Sequence, residues 1–369
     1  MKTILIAHNY SKKSFAYMSF ELANYLSNNG FKVVFISHKP YFKEEKIIIN
    51  KKGELIITSW SSIDRPTGLK DFFWFIKIYK KHQPNYVIGH FVGANISTMV
   101  SKILSLGKTK CFVYYHTLSS QILSDLRSNS LKYKFKKTRK KIFFKLFIDI
   151  FICPSELSKK DIIRTFGVNL NKTKVVLNAI EDRKNNNVSS NLQKEGIQIN
   201  YLGRLDPSKN VKVLIASFIE FKKRNPNKIM TLSIAGTGQL SQEVKKISNQ
   251  FSFINFLGGI SYHQVDDFLS KGDYTIIPSL SDNLPTVGLE SLMNGIPIII
   301  SNTTGLSKYC LDNVNSIVIL PNETSLIKAF EEISKGKHDK MNIQARALYE
   351  EKFSIENYHK EIIKIINSF

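Results

Sequence analysis

Apolar residues recur along this chain in two rhythms. Short unbroken apolar runs fall at residues 3–7, 32–37, 86–90, 110–115, 149–153 and 174–178. That is the signature of strands buried on both faces. Between them lie stretches with apolar residues every three or four positions. The first spans 15–29, where Phe15, Met18, Leu22 and Leu26 share one helical face and Gly30 ends the run. Further helices are predicted at 69–81, 93–106, 130–146 and 155–166. Residues 47–58 read as a hairpin, because Lys52-Gly53 separates two β-branched runs.

Periodicity disappears over 182–199, where Asn and Ser dominate, and this segment reads as a linker. The alternation then resumes. Strands are predicted at 198–203, 231–235, 253–257, 274–279, 296–301 and 316–320. Helices are predicted at 210–224, 240–249, 262–270, 286–294 and 324–334, with a helical tail from 341 to 369. Strand–helix alternation implies a parallel sheet covered by helices. The expected fold class is therefore α/β, with two doubly wound Rossmann-like domains facing a cleft. The first takes residues 1–181 and the second 200–345. Ligands of such folds sit outside the carboxyl ends of the strands.

A length of 369 residues suits two domains, and 43% hydrophobic against 22% charged residues excludes wholesale disorder. Charge changes the picture more. The chain carries 53 Lys+Arg against 30 Asp+Glu, a formal net of +23. Residues 1–190 hold 33 of those 53 cations and only 12 of the 30 acids, so one half carries almost the whole excess. A negative partner is implied: nucleic acid, an anionic membrane or a phosphorylated ligand. The 3 cysteines, Cys111, Cys153 and Cys310, show no metal or disulfide spacing, which points to a reducing cytosol. The opening apolar run is too short for a signal peptide and reads as a strand. No run is long and apolar enough for a transmembrane span; the nearest, 142–153, is cut by Lys145 and Asp149.

Three segments carry candidate chemistry. In Tyr201 to Asn210 (YLGRLDPSKN), Arg204 and Lys209 lie in a loop between strand and helix. Two cations beside a helix N-terminus form an anion site, with a bidentate fork from Arg204 and a point charge from Lys209. The same residues could also be solvated cations, with Asp206 and Ser208 as caps. In Leu232 to Leu240 (LSIAGTGQL), Gly236 and Gly238 end a strand; they permit close approach to a ligand, or merely a tight turn. In Pro278 to Pro297 (PSLSDNLPTVGLESLMNGIP), Asp282 and Glu290 stand eight residues apart, about two helical turns. Both carboxylates reach one cleft wall if the loop bends back, and a carboxylate suits a sugar or ribose diol. Otherwise they are a loop Asp and a solvated helical Glu. Asn283, Leu284, Pro285 and Thr286 open the helix, with backbone N–H groups available to an anion.

The order Gly-Arg-x4-Lys, strand-Gly-x-Gly, and Pro-Ser-loop-acid-x7-Glu with a later Gly-x-Pro resembles the nucleotide-sugar half of GT-B glycosyltransferases, and the retaining family 4 group in particular. Val176 to Glu181 (VLNAIE) and Phe353-Ser354 resemble further segments of that family, so the likeness spans nearly the whole chain. It implies that residues 346–369 form a C-terminal helix crossing back to an acceptor-binding first domain. It also implies that Arg204 and Lys209 hold the donor diphosphate and that Asp282, where the family usually has Glu, contacts the donor sugar. Glu290 would bind the ribose. Asn283, Leu284, Thr286 and Val287 would offer N–H groups, Pro285 having none, and Gly236, Gly238 and the Gly258-Gly259 loop would line the base pocket. His116, at the end of the strand CFVYYH, resembles the family's histidine near the donor sugar, although a capped surface His is the alternative. His90 could reach the acceptor side or serve structure alone, and His8 and Asn9 would shape the cleft rim. The family needs no cofactor or bound metal. No Asp-x-Asp motif is present, and Asp266-Asp267 read as surface. The first loop, Asn9 to Phe15, lacks the family's glycine pair, with Lys13 or the Ser14 amide as substitutes, and Lys308 replaces a common acid.

Residues 131–148 (LKYKFKKTRKKIFFKLFI) hold eight cations between Lys132 and Lys145 and no acid. Leu131, Phe135, Thr138 and Ile142 form one apolar stripe, thickened by Phe143, Phe144, Leu146 and Phe147. Such a helix suits the interface of an anionic membrane, although a following strand requires part of its apolar surface to be core. The combined expectation is a metal-independent glycosyltransferase moving a sugar from a nucleoside-diphosphate donor, such as a UDP-sugar, to a lipid-linked or glycan acceptor with retention. It would act in bacterial cell-surface polysaccharide (capsule, O-antigen or lipopolysaccharide) synthesis, peripherally on the cytoplasmic face of the membrane. A sugar-nucleotide epimerase and a basic nucleic-acid-binding protein are the alternatives; the second lacks any recognised nucleic-acid module.

Overall fold

The computed structural model describes residues 1–369 except 11–15, 64–65, 91–93, 121–129, 184–194 and 337–339. The chain forms two compact units, Met1–Leu177 with Tyr358–Phe369, and Asn178–Asn357. Each is a doubly wound α/β layer structure, as the alternation predicts.

The first unit contains β1 (Thr3–Ala7), β2 (Lys32–Ser37), β3 (Lys46–Ile49), β4 (Glu54–Ser59), β5 (Tyr86–His90), β6 (Lys110–Tyr114), β7 (Ile150–Cys153) and β8 (Thr173–Val175). Their order is β3-β4-β2-β1-β5-β6-β7-β8. Only β3 runs antiparallel, forming the expected hairpin with β4. Strands β1 and β5 are buried throughout because helices cover both faces. Those helices are α1 (Tyr17–Asn28), α2 (Leu69–His82), α3 (Ala94–Leu104), α4 (Ser130–Phe147) and α5 (Glu156–Phe166). The boundaries of α5 show their causes. Ser155 accepts the Ser158 N–H at 3.1 Å at its start, and Gly167 adopts φ +64° at its end.

The second unit has β9 (Ile197–Leu202), β10 (Met230–Ala235), β11 (Ile254–Gly258), β12 (Tyr274–Ile277), β13 (Ile298–Ser301) and β14 (Ser316–Ile319), all parallel in the order β11-β10-β9-β12-β13-β14. Its helices are α6 (Val211–Arg224), α7 (Ser241–Ser248), α8 (Val265–Ser270), α9 (Thr286–Met293), α10 (Glu323–Ile333) and α11 (Met341–Leu348). Chain order reverses between β9 and β12, which marks the carboxyl edge of that pair as the place for a ligand.

The two compact units divide at Leu177/Asn178. The segment after 178 is held by the second unit: the Ile180 N–H donates to the Phe353 carbonyl at 3.2 Å, and the Tyr349 hydroxyl donates to the Ile180 carbonyl at 3.0 Å. Most of the expected linker lies outside the described residues. The tail from 341 is not one helix. After α11 the chain widens into a π-turn at Tyr349–Phe353, extends at Ser354 and re-forms α12 (Ile355–Asn367). Residues up to Asn357 belong to the second unit and those from Tyr358 to the first. There the Tyr358 and Tyr114 hydroxyls share a hydrogen bond of 2.6 Å, and His359 stacks on Tyr25.

Candidate functional site

Three loops meet at the carboxyl edge of β9, β10 and β11. Gly236 has φ +145°, and a Cβ there would fall 1.8 Å from the Gly203 carbonyl oxygen; a Cβ on Gly238 would fall 2.4 Å from that of Leu205. Only glycine lets these backbones touch. The contact is hydrogen-bonded: Leu205 N–H donates to the Thr237 carbonyl at 2.9 Å, Leu240 N–H to that of Leu205 at 3.0 Å, and Gly236 N–H to that of Gly258 at 2.7 Å. The glycine loop is therefore more than a strand-to-helix turn, because it seats the Arg204 loop.

A fourth loop arrives from β12. Its Leu280 N–H donates to the Ser208 carbonyl at 2.9 Å. This closure brings the Lys209 ammonium onto the Asp282 carboxylate, 73 positions away in sequence, as a largely buried ion pair. The Asp282 carbonyl in turn accepts the Gly305 N–H at 2.9 Å. Asn283, Leu284 and Pro285 are buried, and Thr286 and Val287 half-buried, at the start of α9. Pro285 occupies the N-cap position, with no side-chain cap hydrogen bond to the first-turn N–H groups.

The two expected cations are not bare. Lys209 has Asp282, and the exposed Arg204 guanidinium lies 3.3 Å from Asp206. Asp206 also caps the turn Pro207–Lys209 by accepting the Ser208 N–H at 3.1 Å. The capping expectation is thus correct for Asp206, whereas Lys209 is not a solvated surface cation. An unpaired ammonium at so enclosed a position would carry a large desolvation cost, which the nearby carboxylate offsets.

Glu290 is buried inside α9 rather than solvated. Its partner, absent from the sequence reading, is Arg183 at 3.6 Å. The same guanidinium forks onto Asp266 at 2.9 and 3.1 Å and lies over the Tyr262 ring. Asp266 therefore belongs to this cluster, a correction to its surface assignment, while Asp267 remains exposed beside Lys271. Burial pushes the Glu290 carboxyl up to about 7; Arg183 opposes the shift and Asp266 adds to it. Asp282 and Glu290, alike in the sequence, thus have separate cationic partners. Nothing in the local sequence marked Arg183, a lone cation before a polar segment.

In the first unit, His116 follows β6, and its Nε2 lies 3.0 Å from Nδ1 of His90. His90 is fully buried, with the Tyr114 ring stacked at 4.0 Å and the His8 ring at 4.1 Å. Of the two readings left open for His90, its burial agrees with the structural one: it packs against His116. His8 is likewise buried and forms no rim. Lys13 and Ser14 lie outside the described residues.

The basic helix α4 divides its apolar residues between two faces. Phe144 is buried, and Phe143 and Phe147 pack beside it on Tyr115, Phe151, Ile162 and Phe166. Lys140 lies on the same side, its ammonium 5.2–5.5 Å from the Tyr115, Phe144 and Phe166 ring centres. The predicted stripe is what remains outside: Leu131 is 75% exposed, Phe135 70%, Ile142 54% and Leu146 58%. Among the described residues no helix is long and apolar enough to cross a membrane.

Comparison with known proteins matches the chain in two successive parts. A family model described as "Glycosyl transferases group 1" matches residues 182–365, and one described as "Glycosyltransferase Family 4" matches residues 17–184. An uncharacterized glycosyltransferase of Methanocaldococcus jannaschii is 26% identical over 70% of this chain, which spans less than two thirds (64%) of that relative. The phosphatidylinositol N-acetylglucosaminyltransferase gpi3 subunit of Schizosaccharomyces pombe is 21% identical over 93% of this chain and 72% of its own length. The crystal structure of Anabaena HepE in complex with UDP shares the fold, with a TM-score of 0.74, 13% identity and complete coverage of both chains.

Proposed function

The chain belongs to the family 4 glycosyltransferases of GT-B fold, and on that premise we propose that it transfers a sugar, with retention, from a nucleoside-diphosphate donor to a lipid-linked or glycan acceptor. The observation that carries this reading is the Lys209–Asp282 pair at the switch point of the second unit, seated on the glycine platform. A donor offers complementary groups to both members. Its diphosphate meets Lys209 and Arg204, and its sugar hydroxyls donate to Asp282. As the glycosyl–phosphate bond breaks, negative charge grows on the departing diphosphate. A preorganised ammonium beside it stabilises that transition state, typically by several kcal/mol.

The remaining roles are those that the family resemblance implies. Glu290 accepts from the ribose diol, the Asn283 to Val287 segment offers N–H groups at the helix start, and Gly236, Gly238 and Gly258 admit the base. His116 is the histidine that the resemblance assigns to the donor sugar. The departing phosphate takes the acceptor proton, so neither a protein base nor a bound metal is invoked. UDP is the first donor base to test, because a neighbour of the same fold binds it.

The acceptor side is read from α4. Four exposed apolar side chains on a helix with eight cations and no acid complement an anionic lipid surface. A relative whose name specifies phosphatidylinositol supports a lipid acceptor. The setting we propose is cell-surface polysaccharide assembly at the cytoplasmic face of the membrane.

The test begins with thermal shift against UDP-, GDP- and ADP-sugars. Stabilisation by one of them is expected, and stabilisation by none removes the reading. Lys209→Ala is expected to lose on the order of 10²-fold in turnover while remaining folded; wild-type turnover would take Lys209 out of the site. Pelleting with vesicles is expected to require anionic lipid and to fall when Phe135 and Ile142 become Ser. Unchanged pelleting of that variant would exclude α4 as the contact.

A further inference from the structure

Strand β3 ends the eight-stranded sheet of the first unit, and among the described residues no other strand pairs with its outer side. It is short, Lys46–Ile49, yet every side chain in it is exposed: Ile47 is 57% exposed, Ile48 42% and Ile49 76%. Edge strands are usually blunted by several charges, a proline or a bulge. Here a single lysine precedes three consecutive isoleucines, there is no proline, and the register with β4 is unbroken.

The hairpin shows which backbone groups of this edge face outward. Asn50 donates its N–H to the Gly53 carbonyl at 2.9 Å, and the opposed positions run Ile49↔Glu54, Ile48↔Leu55, Ile47↔Ile56 and Lys46↔Ile57. Bonded and non-bonded pairs alternate along an antiparallel ladder. Asn50, Ile48 and Lys46 therefore direct their N–H and C=O groups to β4, and Ile47 and Ile49 turn theirs outward. An antiparallel β3 of a second copy matches this spacing when Ile47 of each chain lies opposite Ile49 of the other. The two-fold axis then passes beside Ile48, which meets its own copy as a close non-bonded pair.

Charge selects the same register. Outward from Ile48 the sequence reads Lys46, Glu45, Glu44 in one direction and Asn50, Lys51, Lys52 in the other. Antiparallel pairing about Ile48 sets Glu45 beside Lys51 and Glu44 beside Lys52, at both ends by symmetry, and all four residues are exposed. Glu45 already bonds Lys81 at 2.7 Å, so its carboxylate would be shared. Sliding the second copy by two residues sets Lys46 against Lys52 in one direction and Lys43 against Lys51 in the other. Sliding by one sets outward backbone groups against inward ones. Parallel pairing in register places each charge on its own kind.

We propose that the outer edge of β3 is the contact surface for a second copy of this chain, paired antiparallel about Ile48. The isoleucines supply the apolar centre, Ile47 and Ile49 the backbone hydrogen bonds, and the flanking acids and lysines the register. This contact lies wholly in the first unit and does not depend on the activity proposed above.

Sedimentation velocity of the whole chain, from about 1 to about 200 µM, tests it. The mass is expected to rise with concentration from the 42.3 kDa of one chain toward twice that. A single chain throughout overturns the proposal. Ile48→Lys sets two ammonium groups against each other on the axis and is expected to raise the dimer dissociation constant about hundredfold; an unchanged constant overturns the edge as the contact. Glu44→Lys and Lys52→Glu, each alone, turn two attractions into two repulsions and are expected to weaken the dimer about tenfold. An equimolar mixture of those two variants restores both pairs. It is expected to associate as the wild type does, which also shows that each variant is folded. A mixture no tighter than its components overturns the register.

Discussion

Mild acid should destabilise the first unit while stabilising the second. His116 and His38 have folded pKa values lowered to about 3 and about 4 by burial, against an ordinary 6.5. A group held neutral in this way stabilises the fold fully above pH 6.5, and that contribution is lost as the pH falls toward the folded value. At pH 5 each of these two rings has given up about 2 kcal/mol, about 4 kcal/mol together. His8 and His90 are shifted in the same direction and add to the loss. Against a typical domain stability of about 5–15 kcal/mol this is a large fraction. The second unit carries the opposite shift. Glu290, raised from 4.5 to about 7, binds its proton more tightly when folded. Stability there rises as the pH falls from above 7 toward 4.5, by about 2 kcal/mol at pH 5. Native-state hydrogen exchange read by mass spectrometry, corrected for intrinsic rates, separates β1 and β5 from β9 and β12. Between pH 7.5 and 5.0 the opening free energy of the first pair should fall by several kcal/mol and that of the second should not fall. Glu290→Gln should abolish the gain in the second unit. Parallel losses in both units, or a first unit unchanged to within about 1 kcal/mol, would refute the assigned charge states.

Three other outcomes follow from particular contacts. Gly236→Ala places a methyl 1.8 Å from a carbonyl oxygen at a left-handed φ. It should cost about 3 kcal/mol or more in denaturant unfolding, or abolish donor stabilisation by moving the loop; wild-type values for both would deny that the platform needs glycine. Donor affinity, if Glu290 binds the ribose as a carboxylate, should weaken as the pH falls through 7, by up to about tenfold per unit, and isothermal titration should find that dependence flattened in Glu290→Gln. Lys140, whose ammonium is lowered to about 8 by burial in its aromatic surround, should be replaceable by Met with less than about 1 kcal/mol lost at pH 7, because the charge removed was costly to bury. A clear loss in thermal unfolding would make the cation–aromatic contact the stronger effect.

Local chemistry predicted most of the fold because its signals are short-range. A buried parallel strand must be a continuous apolar run, and a covering helix must repeat every three or four residues, so alternation alone implied two doubly wound units. The hairpin at Lys52-Gly53 and the helix closed by Gly167 depend on a few adjacent residues. The candidate donor site was legible for the same reason. Its glycines, Lys209 and Asp282 occupy loops that follow strands, and Glu290 the helix after one such loop, so their positions are set by the alternation. For α4 the sequence left open which apolar residues meet the sheet; Phe144 fits the core beneath it, while Leu131 and Phe135 stay exposed.

Pairing was decided only by the tertiary structure. The sequence determined that Arg204 and Lys209 are cations and that Asp282 and Glu290 are acids, but not which meets which. That depends on strand order. The reversal between β9 and β12 sets Lys209 against Asp282, and the path of the chain after 178 brings Arg183 to Glu290. The stacked histidines of the first unit are the clearest case. His8, His90 and His116 are scattered over more than a hundred positions, each unremarkable in its own loop. Parallel pairing of β1, β5 and β6 brings their carboxyl ends into one line. Charge, polarity and periodicity belong to a residue and its near neighbours, so a sequence carries them openly. Ionisation and hydrogen-bond partner belong to an environment, which exists only once distant strands have come together and water has left.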